Sequence, residues 1–199
     1  MAETAEKMTE LLEHHGGHDG GNKRIALMIA IFALLLAFAE MGVKNSQTSG
    51  LAANVEASNL WAFYQAKTVR RTTLITATED METRLVGIVD PEVRSAMEKR
   101  IADWKANAAR YESEPSTGEG RKELSARAKA QEEKRELYNH KHEWFEFGSA
   151  ALQIAIVLAS AAIITGVGMV VLASGAFGAI GMAMIAIAMF APHFLLAGH

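Results

Sequence analysis

The sequence predicts an all-α membrane protein. It places three transmembrane helices, one N-terminal anchor and one C-terminal hairpin, beside a long helical, coiled-coil-like extramembrane domain. Three observations predict this. Residues 147–191 contain no charged side chain, and the run is far longer than the ~20 apolar residues that cross a ~30 Å hydrocarbon layer. Residues 25–39 form a second unbroken apolar run. The charges gather between the two: residues 44–146 carry 17 of the 20 Lys and Arg and 17 of the 23 Asp and Glu. A chain with one water-soluble core would mix these populations rather than segregate them.

That charge balance argues against nucleic acid as a partner, because neutralising phosphates needs a net basic surface. The chain has no cysteine, which excludes a disulfide framework, a thiolate zinc site and a thiol nucleophile.

Residues 1–22 read as a flexible tail rich in His and Gly. His14, His15 and His18, with Glu13 and Asp19 beside them, are of the residue types that bind zinc, copper or nickel. The glycines between them remove any preorganised geometry, so the assignment is a polar linker with no metal and no cofactor.

Residues 23–43 read as transmembrane helix 1. Lys23 and Arg24 flank the apolar run, and Ala37-Phe38-Ala39 imitates a cleavage site, but an uncleaved anchor is the expectation. Glu40 is placed at the membrane–water interface; the sharper alternative is a carboxylate working inside the membrane. The basic flank favours a cytoplasmic N-terminus.

The domain at 44–146 reads as three helices, about 46–89, 91–111 and 121–146. Proline is absent from 45–89, and Leu60, Leu74, Met81 and Ile88 recur at helical spacing. Lys67 takes the heptad position between Leu60 and Leu74, so the coiled-coil pattern is imperfect. Asp90 and Pro91 supply an N-cap and a first-turn proline for the second helix. Val93, Met97, Ile101, Trp104, Ala108 and Tyr111 then form one apolar stripe, expected to pack on the preceding helix. Glu112 to Gly120 is a polar loop. The third helix meets no breaker before the apolar block and is expected to run on into it. Trp144, Phe145 and Phe147 stand where an interfacial aromatic belt belongs, and His140, Lys141, His142 and Glu143 read as a polar collar.

Lys67, Arg70 and Arg71 can share a helix face. They are the candidate contacts for an anionic ligand or lipid headgroup, set against plain helix packing with solvated charges.

The apolar block divides at Ser174-Gly175 into transmembrane helix 2 (147–172) and transmembrane helix 3 (176–195). Gly148, Ala151, Ala155, Ala159, Ala162 and Gly166 on one span, and Gly175, Gly178 and Gly181 on the other, are small residues at a spacing that lets helix backbones approach closely.

Asn22-Lys23-Arg24-Ile25, Ala39-Glu40-Met41, Lys44-Asn45 and the run Glu56-Ala57-Ser58-Asn59-Leu60-Trp61-Ala62-Phe63-Tyr64-Gln65-Ala66-Lys67 resemble an uncharacterised bacterial membrane-protein family, a DUF4337-like domain of unknown function. The resemblance covers nearly the whole chain. It implies a bacterial membrane protein and no catalytic residues. Consistent with that, the sequence has no nucleotide-binding glycine loop, no H-E-x-x-H and no nucleophile elbow. The expected function is therefore not enzymatic: a structural or interaction protein of the bacterial inner membrane that self-associates through its helical domain and its small-residue membrane faces. The alternative is an oligomeric channel or transport component. Its expected partners are the lipid bilayer and further copies of itself.

Overall fold

The computed structural model describes the backbone from Ala2 to Phe190 and the side chains from Gly21 to Phe190. The described residues form four helices: α1 (Ala2–Leu85), α2 (Pro91–Glu112), α3 (Arg121–Thr165) and α4 (Gly168–Phe190). No strand occurs among the described residues. The chain divides into two compact units. One comprises Met1–Ser49 with Leu137–His199, the other Gly50–Glu136, so α1 and α3 each contribute to both. Among the described residues, three helices carry segments long and apolar enough to cross a membrane: α1, α3 and α4.

The unit Gly50–Glu136 is built from the second part of α1, α2 and the start of α3. Its centre is Leu60, Leu124 and Ala128, with Trp61 and Tyr64 packed against them. The two rings meet edge to face, 5.4 Å between centroids, and Trp61 Nε1 donates to Glu132 Oε1 at 2.9 Å. Thr68, Thr73, Thr78 and Thr83 each donate their hydroxyl to the carbonyl four residues back. That bond lets a β-branched polar residue sit in a long helix without an unmet hydroxyl.

α1 ends at Leu85 and a turn follows, with Gly87 N and Ile88 N donating to Arg84 O and Leu85 O. Asp90 then caps α2 from extended backbone: its Oδ1 accepts from Glu92 N at 2.9 Å and Val93 N at 3.3 Å, with Pro91 in the first turn. Two N–H groups that the helix cannot satisfy itself are met this way. Along the apolar stripe of α2, Ile101 and Ala108 are buried, Met97, Trp104 and Tyr111 half-buried, and Val93 exposed. Lys105 Nζ reaches Glu82 Oε1 at 2.6 Å and joins α2 to α1.

The other unit holds the earlier part of α1, the later part of α3, and α4. Phe32, Ala39, Phe145, Leu152, Ala155, Ile185 and Ala188 form its buried centre. The hairpin reverses at Gly166, whose φ of +66° only glycine adopts without strain. The reversal therefore falls before the expected Ser174-Gly175. Ser174 is fully buried inside α4 and donates to Ala155 O at 2.8 Å. Its hydroxyl ties α4 to α3 rather than opening a turn. The helices that flank the reversal end at Thr165 and start at Gly168, in place of 172 and 176. The expected stretch 191–195 of the last span lies outside the described residues.

α1 also differs from the sequence expectation. No break separates the anchor from the helix expected to begin near residue 46, and Ser46 is a buried residue within α1. Lys44, Asn45 and Ser46 are compatible with helix, no proline stands there to stop it, and α1 runs through Gly42 and Gly50. The side chains of His14, His15 and His18 lie outside the described residues.

Candidate functional site

Two polar constellations, one uncovered helix face and one groove are the candidates. The first lies in the unit Gly50–Glu136. Lys67 is only 6% exposed. Its ammonium sits 5.3 Å from the Phe63 ring centroid and 5.2 Å from that of Tyr111, with Glu119 Oε2 at 3.6 Å. The heptad position that looked like a flaw is thus a core position filled by a lysine between two aromatic faces. Arg71 Nε is 3.1 Å from Glu112 Oε2, yet off hydrogen-bonding angle, so that this buried N–H goes unmet. Arg70 is exposed. The three cations do not form one cradle for an anion: two turn inward to carboxylates of the same unit, and one faces outward.

Arg121, the first residue of α3, is the hub that sequence reasoning missed. Its Nε donates to Thr68 Oγ1 at 2.9 Å, Nη1 to Glu112 Oε2 at 2.6 Å, and Nη2 to the Tyr64 hydroxyl at 2.8 Å. Burial alone works to lower its pKa, but the Tyr64 hydrogen bond and the Glu112 charge outweigh this and raise it. A lone arginine at a helix start carries no sequence signal of such a role. Beside it, Glu123 closes the 113–120 loop: Oε1 accepts from Ser113 Oγ at 2.6 Å and Oε2 from Glu114 N at 3.2 Å. Gly120 is required here, because a Cβ would collide with the Glu123 carboxylate and with Glu114 N. The contacts of Arg121 tie α1, α2 and the start of α3 together.

One face of α1 in the same unit stays uncovered. Leu51, Val55, Ser58, Ala62, Gln65, Val69, Thr72 and Thr76 are all exposed and follow one another in alternate steps of four and three. None carries a charge. Its C-terminal part borders a shallow concavity of about 690 Å³ lined by Thr68, Val69, Thr72, Thr73, Thr76, Ala77 and Asp80, every one on α1.

The second constellation lies in the other unit. Glu40 Oε1 accepts from Ser149 Oγ at 2.5 Å and from Gln153 Nε2 at 3.4 Å. His142 Nδ1 lies 3.3 Å from Val43 O, and its Nε2 is 3.8 Å from Glu146. Near these residues a groove of about 670 Å³ runs along α1 from Leu35 and Phe38, past Gly42 and Phe145, to Asn45, Ser46, Tyr138 and Lys141.

The small residues sort into two groups. Gly148 and Gly181 face each other so closely that a Cβ on either would press on the other's carbonyl oxygen. Gly178 receives the Phe32 ring. Ala151, Ala155, Ala159 and Ala162 are buried within the same unit. Gly166 is the turn, and Gly175 has no atom near its Cβ position. Most of this small-residue face is therefore used up inside one chain.

Helices of this length and hydropathy define a class: an all-helical protein with three candidate membrane-spanning helices among its described residues. Within that class the chain belongs to a family defined only as a domain of unknown function, DUF4337, whose model matches residues 21–191. No curated protein and no solved structure matches it.

Proposed function

We propose that the chain is a structural, non-enzymatic protein of the bacterial inner membrane, with a cytoplasmic N-terminus, that self-associates through the helical unit outside the membrane. The observation that carries this is the uncharged, exposed heptad face of α1 from Leu51 to Thr76. Copies inserted in one bilayer with one topology run parallel, so a symmetric contact sets each residue of this face against its own counterpart. A charge there would meet a like charge; this face has none. Leu51, Val55 and Val69 are each more than half exposed, and their burial supplies the drive for pairing in water.

Light scattering on the detergent-solubilised full chain tests the reading. An oligomer is expected, and Val69→Glu should shift it to monomer. Because the chain has no cysteine, Ala62→Cys offers one unambiguous thiol, which should cross-link to its own counterpart on oxidation. A monomeric wild type, with an Ala62→Cys variant that does not cross-link, would refute the proposal.

A second reading, an oligomeric channel or transport component, draws on the Glu40, Ser149 and Gln153 cluster, where a carboxylate is met by a hydroxyl and an amide. Conductance across planar bilayers that is abolished by Glu40→Gln would favour it; equal conductance in both would not.

A further inference from the structure

We infer that the groove between α1, α3 and α4 holds one phospholipid with an anionic headgroup, its phosphate at Lys141 and an acyl chain along Phe38 and Phe145. The inference rests on the membrane reading of the apolar helices and is independent of self-association.

The groove is graded along its length. Leu35 and Phe38 line one end; Asn45, Ser46, Tyr138 and Lys141 line the other. The polar end coincides with the place where the apolar run of α1 gives way to Lys44 and Asn45. Lysine and tyrosine with apolar stems and polar tips are suited to that level of a bilayer. A volume of about 670 Å³ is that of a site for a ligand with many heavy atoms rather than for a bare ion. Its floor depends on Gly42, where any Cβ would strike the Phe145 ring; glycine lets that ring lie against α1.

Charge decides the class of lipid. Among the described residues, Lys141 is the one charged side chain lining the groove. The carboxylates on nearby turns lie outside the groove lining: Glu40 accepts from Ser149 and Gln153, and Glu143 and Glu146 stand 3.7 and 3.8 Å from His140 and His142. Among the described residues Lys141 has no carboxylate partner, and its ammonium lies 6.0 Å from the Tyr138 ring centroid. A groove whose one lining charge is positive favours a net-negative headgroup over a zwitterionic one. Lys67 and Arg71, the cations that helical spacing alone suggests for this role, cannot serve, being committed to Glu119 and Glu112.

Native mass spectrometry of the full chain in detergent, titrated with phosphatidylglycerol, phosphatidylcholine or inorganic phosphate, provides the test. One bound phosphatidylglycerol is expected, retained at least tenfold more tightly than phosphatidylcholine and not displaced by inorganic phosphate. Lys141→Gln should abolish the preference, and Met41→Trp, which fills the groove from an exposed position, should reduce binding of both lipids. Lys44→Gln, on a neighbouring residue that does not line the groove, should leave binding unchanged. Equal retention of the two lipids by wild type, equal loss in Lys44→Gln and Lys141→Gln, or displacement by inorganic phosphate would each overturn the inference. Flotation with phosphatidylglycerol vesicles separates the two levels: a chain that does not float overturns the membrane reading, whereas one that floats without lipid preference overturns only this site.

Discussion

The two units of this chain are held together in opposite ways. In the apolar unit, helices meet through the smallest residues available, and Gly148 and Gly181 bring two backbones into direct contact. In the charged unit, helices are tied by the longest side chains, with Arg121 reaching three partners and Lys67 lodged between two rings. The difference follows from the solvent each composition suits. Lipid offers no hydrophobic drive between helices, so close packing and a few hydrogen bonds must hold them. Water supplies that drive for any apolar stripe, and charged residues at the margins then set the register. Ser174 and Arg121 illustrate the contrast. One buried hydroxyl meeting one carbonyl is enough in the first unit, whereas a forked guanidinium with three acceptors works in the second.

Breaking the glycine contact should have the largest effect. In Gly181→Leu the new side chain must displace Gly148 O, 2.9 Å from the Cβ position, and Leu152 Cγ at 3.0 Å. Overpacking of this kind costs about 1–3 kcal/mol, and more where backbone has to move. The thermal midpoint of the full chain in detergent should drop clearly, while Gly175→Leu, with no atom within 4 Å, should stay near wild type. Equal losses in the two variants would mean that small residues as a class, and not this contact, matter.

Next comes the hub of the charged unit. Arg121→Met removes hydrogen bonds to Thr68, Tyr64 and Glu112 together. Hydrogen bonds to charged groups contribute about 1.5–3 kcal/mol, but Arg121 is 19% and Glu112 33% exposed, so a net loss of about 2 kcal/mol is expected after screening. Urea unfolding followed by circular dichroism measures it, and a double-mutant cycle with Glu112→Gln should show clear coupling. Additive losses would remove Glu112 from the network.

How far the sequence leads depends on how local each signal is. The all-helical class and the three apolar segments follow from composition and breaker residues alone. Asp90-Pro91 is readable as a helix start because capping is decided within four residues. The hairpin turn is misplaced from sequence because Ser174 and Gly175 carry the same letters whether they make a turn or a helix contact. Only the partner carbonyl at Ala155 tells which. Lys67 looks like an interruption because periodicity scores charge, not surroundings, and the rings that accommodate it include Tyr111 on another helix. Arg121 and Lys141 give no signal at all: one is a helix start, the other part of a polar collar. Two of Arg121's partners, Tyr64 and Thr68, lie on α1, and the groove that Lys141 lines is completed by α1 and α4.

Lys67 offers a smaller test of the same contrast. Lys67→Met keeps an unbranched stem between Phe63 and Tyr111 but loses the cation–π contacts, worth about 0.5–1 kcal/mol at exposed sites and about 2 when desolvated. It also removes the cost of burying an ammonium, and leaves Glu119, half exposed, in water. The net change should be below about 1 kcal/mol in urea unfolding. Lys67→Ala should cost more, because the stem itself fills the space. A severe loss in the methionine variant would show that charge, rather than shape, holds this position.

The smallest effect is one of pH. The Ser113 hydroxyl and then the backbone N–H of Glu123 itself hold the Glu123 carboxyl below its ordinary range; burial opposes them, and the Glu114 N–H adds a smaller lowering. A carboxyl whose folded pKa lies below its unfolded value stabilises the fold above the unfolded value, and that stabilisation is lost as pH falls through the folded one. Acidification from about pH 5 downward should therefore lower the thermal midpoint of the wild type, and Glu123→Gln should lack part of that slope while starting from a somewhat lower midpoint at neutral pH, since its one amide oxygen replaces only one of the two acceptors that serve Ser113 Oγ and Glu114 N. Glu114 is also held low, first by its hydrogen bond with Arg110, so Glu114→Gln is the companion measurement that subtracts its share. If Glu123→Gln and wild type lose stability in parallel as the pH drops, the loop is held by Gly120 and the backbone alone, and the charged unit is less dependent on its ionised side chains than its contrast with the apolar unit implies.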